Sequence, residues 1–213
     1  MSSSEAWAAL PAPWQACIDE AWLSWRAGSA GVGCVVTDGA GEIVARGRNR
    51  RLDPKVVPHE LAGTPIAHAE TVALATLPDG DYRHHTLYTS LEPCLMCAST
   101  TLVMGIGRVA YAAADPLFDG MHDWFGELEW AATRRPEREV LGGRIGSFAH
   151  VLHLSWLAFW LSPDAPVMEA HRRVSPRELE LATAIATEGH LDAIAREGGG
   201  VEDALAAVWH TLP

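Results

Sequence analysis

Lysine is almost missing from this chain. Of its 16 basic residues one, Lys55, is lysine, and against 27 acidic residues they leave a net charge of -11. A protein that holds nucleic acid through many phosphates normally presents a basic face, so this balance argues against a nucleic-acid partner. Long apolar runs are also missing. The longest, VLHLSWLAFWL at 151–161, is far shorter than the ~20 residues of a membrane span and is interrupted by His153 and Ser155, so no membrane partner is expected. The N-terminal MSSSEAWAALPAPW has neither the basic start nor the continuous apolar core of an export signal, which points to a cytoplasmic protein. Cysteine is scarce too. The four lie at 17, 34, 94 and 97, and in the reducing compartment that the missing export signal implies a close pair is more often metal-binding or redox-active than a structural disulfide.

What is present is a globular composition, 48% hydrophobic and 20% charged over 213 residues, enough for one domain with an extension. The periodicity predicts a helix over 13–26, a β-hairpin from 31–38 and 41–49, and a proline-containing loop over 50–66. A helix follows over 68–77, a strand over 86–92, a helix over 94–105 and a strand over 108–114. Strand, helix, strand at this spacing implies a right-handed crossover and an α/β core. Beyond Asp115 the pattern predicts a short strand around 144–148 and then an apolar helix. A helix opened by a capping box at SPREL (175–179) comes next, and VEDALAAVWHTL forms a last amphipathic helix. The domain reading is a core over 1–148, clearest over 13–120, with a helical C-terminal extension over 149–213.

Two stretches carry chemistry. AHAETVALA (67–75) places His68 and Glu70 at a helix start, and LEPCLMCA (91–98) places Cys94 and Cys97 in the first turn of another helix. Two cysteines three apart there can turn both sulfurs to one point, and the helix N-terminus favours their thiolate form. With His68 as third ligand the set is Cys2His, which holds Zn2+ and leaves one position open. Residues two apart share a site only where the chain is not yet helical, and Pro65 makes such a start plausible at His68. Glu70 then lies beside the metal without ligating it, in place to move a proton. A CxxC between strand and helix also fits a redox pair, but that reading leaves the HAE stretch unexplained.

His68-Ala69-Glu70 followed by Pro93-Cys94-Leu95-Met96-Cys97 resembles the signature of the zinc-dependent cytidine/deoxycytidylate deaminase superfamily. The likeness covers roughly 13–120. Its wording is most similar to the branch that holds tRNA-specific adenosine, guanine and yeast-type cytosine deaminases. The resemblance implies a three-layer α-β-α sandwich on a five-stranded mixed sheet, Zn2+ on His68, Cys94 and Cys97, and Glu70 as proton shuttle for attack of zinc-activated water on an amidine carbon. Asn49 matches an asparagine that hydrogen-bonds the base. In ADPLFDGMHDW (114–124), where this branch places substrate contacts, Asp115, Phe118, Asp119, His122 and Trp124 are candidates for a lid that reads a base, and each is also ordinary loop chemistry.

The expected activity is deamination of a free nucleobase, nucleoside or related aminated heterocycle, a purine by preference, in a homodimer. The alternatives are a tRNA-specific adenosine deaminase, against which the acidic charge weighs, and a non-catalytic zinc-bearing partner subunit, which would have no need of Glu70. Cys17 and Cys34 read as small core residues, and Glu92 as a charge at a strand end or an orienting group for the metal loop. The stretch 50–67 is longer than expected for a tRNA-specific enzyme.

Overall fold

Gly47 and Gly146 decide how closely helices approach the sheet of this protein. A Cβ on Gly47 would lie 2.3 Å from the Ala69 carbonyl oxygen, and one on Gly146 would lie 2.4 Å from that of Ala112. Both are closer than any side chain tolerates, so a helix rests directly on a strand at each point. The computed structural model describes residues 1–53 and 58–213, apart from the side chain of His122. The part of the predicted 50–66 loop at 54–57 therefore lies outside the described residues.

In chain order the elements are α1 (Ser3–Ala8), α2 (Ala12–Arg26), β1 (Gly33–Thr37), β2 (Ile43–Arg48), α3 (Ala69–Leu74), β3 (Thr86–Leu91), α4 (Leu95–Met104) and β4 (Arg108–Ala113). They are followed by α5 (Met121–Gly126), α6 (Glu129–Ala132), β5 (Glu137–Val140), α7 (Gly143–Trp160), α8 (Pro166–Val174), α9 (Pro176–Glu188), α10 (Asp192–Arg196) and α11 (Val201–Val208). The sheet runs β2-β1-β3-β4-β5. β1 is antiparallel to both β2 and β3, while β3, β4 and β5 are parallel to one another.

Alternation along the strands separates two cores, as side chains of period two must. Val35, Ala110 and Ala112 face a core shared with Trp14, Ile18 and Trp22 of α2 and Phe148 and Leu152 of α7. Cys34, Val36, Val109 and Ala113 face the other side, with Ala69, Ala73 and Leu74 of α3. The result is the expected three-layer α/β sandwich on a mixed five-stranded sheet. The helices α8, α9 and α11 extend the α7 side, sharing its core through Met168, Leu179, Ile185 and Leu205. Cys17 and Cys34 are buried without disulfide partners, as their apolar settings predict. Among the described residues no helix is long and apolar enough to cross a membrane.

Two local expectations are corrected. Residues 144–148 are not a strand; they are the start of α7, and the fifth strand is Glu137–Val140. Ile145, Phe148, Ala149 and Leu152 recur at helical spacing and are all buried. β5 hides from a hydrophobic reading because it is an edge strand of sequence EREV, exposed along most of its length and charged as edges commonly are. The SPREL capping box is also not formed. Ser175 ends α8, its amide donating to the His171 carbonyl at 2.7 Å, while Glu178 reaches Ser147 Oγ at 3.2 Å. Helix α9 still spans the predicted residues.

Candidate active site

The site lies at the ends of the strands where the chain leaves β2, β3 and β4, a usual location for binding in α/β sheets. His68 is the N-cap of α3, with extended backbone at φ -75° and ψ 157°. Because it is not yet helical, its side chain and that of Glu70 meet in one place. Cys94 is likewise the extended N-cap of α4, one residue past Pro93, and Cys97 lies in the first turn. The Thr71 hydroxyl donates to the His68 carbonyl at 2.9 Å and the Thr101 hydroxyl to that of Cys97 at 2.6 Å, so both turns are held by side chains.

Cys94 Sγ and Cys97 Sγ are 3.5 Å apart, and His68 Nδ1 is 3.5 Å from the first and 3.6 Å from the second. A tetrahedral Zn2+ with bonds of ~2.3 Å to sulfur and ~2.0 Å to nitrogen separates its ligand atoms by roughly 3.5–3.8 Å. The three side chains therefore fit the ion almost without adjustment. Among the described residues no further His, Cys, Asp or Glu joins the group. The electrostatics agree with a thiolate-bearing site. The Cys94 thiol is pushed down to about 4, first by the hydrogen bond it shares with Cys97, while Cys97 is pushed up by the same bond. His68 is raised by its hydrogen bond to Cys94.

Glu70 is only 3% exposed. Its Oε1 accepts a hydrogen bond from the Thr89 hydroxyl at 3.2 Å, and Oε2 lies 3.3 Å from Cys97 Sγ. Burial pushes its carboxyl above the usual range. The arrangement brings a buried carboxyl to the edge of the metal group, the position a proton-transferring group requires.

A cavity of about 220 Å³ opens beside this group, and its walls include His68, Glu70, Cys94, Asn49, Asp115 and Phe118. Asn49 is buried just past β2, its backbone amide donating to Val32 and its Oδ1 accepting from the Arg51 amide at 3.1 Å. That leaves its side-chain NH2 for another partner. Asp115 is buried at the exit of β4 with its carboxyl raised to about 6 by burial. Asp119 is exposed and lines a neighbouring cleft together with Asp115. Trp124 is 49% exposed on α5 and packs on Phe125, away from the cavity lining. His122 belongs to α5, and its side chain lies outside the described residues.

Sequence reasoning missed the opposite wall, which His153, Trp156 and Leu157 of α7 and Val167 of α8 supply. The spacing of 153, 156 and 157 marks one helical face, but nothing local says that this face meets the metal group. Glu92 also proves to be more than a strand-end charge. It is buried, ion-paired with Arg138, and its Oε2 accepts the Asp115 amide at 3.1 Å, tying the end of β3 to the turn after β4.

Residues 12–113 match the cytidine and deoxycytidylate deaminase zinc-binding region. The chain is 32% identical over 111 residues to the tRNA-specific adenosine deaminase of Streptococcus pyogenes serotype M1, a match covering 50% of this chain and 60% of that protein. To the cytosine deaminase of Candida albicans it is 30% identical over 98 residues, covering 45% of this chain and 60% of that one. The chain thus spans about 60% of the length of these two relatives. A solved structure in complex with 2,6-diaminopurine shares the fold at a TM-score of 0.50 and 20% identity, covering 69% of this chain and 80% of that one.

Proposed function

We propose, from the membership of residues 12–113 in the zinc-dependent cytidine/deoxycytidylate deaminase superfamily, that this chain hydrolyses the amino group from a free nucleobase, nucleoside or related small aminated heterocycle. A purine is the preferred class. The observation that carries the reading is the buried Glu70 carboxyl beside three ligand atoms at tetrahedral spacing, with Glu70, His68 and Cys94 lining one small cavity.

His68, Cys94 and Cys97 would hold Zn2+, which when bound supplies the Lewis acidity that makes water nucleophilic at neutral pH. Glu70 would take a proton from the attacking water and pass it to the ring nitrogen as the oxygen bonds to the ring carbon, then carry the remaining hydroxyl proton to the departing amino nitrogen. The carbon–nitrogen bond then breaks, ammonia leaves, and a carbonyl remains beside a ring N–H, which accounts for both protons of the water. Asn49 presents an NH2 donor to a ring acceptor, Asp115 an oxygen, and Phe118 an apolar face for stacking. At about 220 Å³ the cavity is below the ~300–1,000 Å³ of drug-sized pockets, which suits one ring system. We extend substrate contact to Asn49, Asp115 and Phe118, the candidates on the cavity wall.

The tRNA-specific adenosine deaminase reading has support of its own in the Streptococcus pyogenes relative. The net charge of -11 and the α7 and α8 side chains along one wall favour the small substrate. Ammonia release from a panel of purines, pyrimidines and their nucleosides decides between them. Turnover on the panel is expected; conversion of stem-loop RNA to inosine with no turnover on the panel overturns the reading. A purified chain that turns over alone removes the non-catalytic subunit. The proposal includes a cytoplasmic setting, where the four cysteines stay reduced, and a homodimer, which sedimentation equilibrium checks.

A further inference from the structure

Next to the cavity lies a second group of ligand-type side chains, of which the deaminase reading uses only Asp115. Asp115 from the turn after β4, His153 from α7 and His171 from α8 each offer an atom within 4.8 Å of the other two. His171 is fully buried and Asp115 is 3% exposed. Among the described residues, His171 Nε2 and His153 Nδ1 are buried without any hydrogen-bond partner. Buried polar atoms are almost always paired, because an unpaired one keeps its full desolvation cost. Core histidines kept only for packing would be expected to pair these nitrogens with neighbouring carbonyls or hydroxyls.

The neighbour His150 shows which lone pairs are free. His150 Nε2 and His171 Nδ1 are 3.2 Å apart, so one ring donates to the other. A proton on His171 Nε2 would have no acceptor, since Asp115 Oδ1 is 3.9 Å away, beyond hydrogen-bond reach. The tautomer that leaves no stranded proton has His171 donating through Nδ1 to His150 and carrying a bare lone pair at Nε2. That is how a metal-ligating histidine is oriented by an outer partner.

We propose that Asp115, His153 and His171 form a second metal site, with His150 orienting His171, and that it takes a divalent transition cation such as Zn2+. The ligand set is two imidazoles and one carboxylate with no thiolate, which suits zinc, cobalt or nickel and leaves coordination positions open. Burial holds the imidazoles in the neutral form that binds metal, with His150 and His171 pushed down to about 4 and His153 to about 3. Donor atoms on a cation at ~2.0–2.2 Å sit roughly 3.0–3.5 Å apart, so binding draws this group together. Asp115 and His153 also line the cavity that Glu70 faces, and an ion held there would border the bound substrate. The site itself stands whether or not the cavity takes a base.

Cobalt titration of the metal-free, tag-free chain tests it. One equivalent should bring the intense thiolate-to-cobalt charge-transfer band that Cys94 and Cys97 generate, and a second should add only weak ligand-field bands from nitrogen and oxygen. Metal analysis after gel filtration should then give two equivalents per chain. His153→Ala should bind one and keep the charge-transfer band, which also shows that the variant has folded. His171→Gln should do the same, and Cys97→Ser should lose that band while keeping the second equivalent. Saturation of the natural chain at one equivalent overturns the proposal, as does a second equivalent that persists in both histidine variants.

Discussion

Two groups of metal-ligand side chains border one cavity, and they are built in opposite ways. His68, Cys94 and Cys97 stand at helix entrances, where extended N-cap residues let side chains near in sequence converge, and their atoms already have the spacing of a tetrahedral ion. Asp115, His153 and His171 come from a turn and from the bodies of two helices, and they meet only because α7 and α8 pack across the sheet from α3. The first group is fixed by local geometry. The second depends on the tertiary fold, and the cavity needs both walls to be closed. Disturbing one wall at a time should therefore give different signatures.

The largest effect is expected from Cys97→Ser, which removes a thiolate from the tetrahedral group. Zinc content should fall and deamination should drop to background, read by metal analysis and ammonia release together. Next is Glu70→Gln, which keeps the shape and the metal but removes the proton acceptor; turnover should fall by about 10³-fold with zinc content unchanged. A fall of only a few-fold would separate Glu70 from the chemistry. Asn49→Ala should lower kcat/KM by about 10- to 100-fold, the range for losing one buried hydrogen bond to a substrate, with less effect on kcat than on KM. The smallest effect is expected from the opposite wall. Gly146→Ala places a methyl 2.4 Å from the Ala112 carbonyl oxygen and should cost about 1–3 kcal/mol through displacement of α7, seen as a lower Tm with the equivalent of metal on His68, Cys94 and Cys97 preserved. If that variant lost the thiolate-bound metal instead, the two walls would not act as separable units.

The metal group is legible in the sequence because its information is local. A histidine and a glutamate two apart after Pro65, and two cysteines three apart after Pro93, specify both residue types and a helix start. Most strands are legible for a similar reason, being β-branched or apolar runs between turns. β5 is not, since an edge strand reading EREV offers charge where the pattern expects burial. The second wall was hidden by distance. His150 and His153 form a visible i,i+3 pair, but His171 stands eighteen positions further on and Asp115 far upstream, and only packing brings them together. The lid candidates divide the same way: Asp115 and Phe118 reach the cavity, while Trp124, equally plausible in sequence, turns to Phe125.

Gly47 has a consequence for how such a site can drift over time. It seats α3 on β2 by direct contact with Ala69, the residue just before Glu70, and it stands two positions before Asn49. The group assigned to hold the ring and the group assigned to shuttle protons are thus clamped to one point of the backbone. The far wall from α7 and α8 takes no part in that clamp, so a substitution there would leave Asn49 and Glu70 aligned with each other.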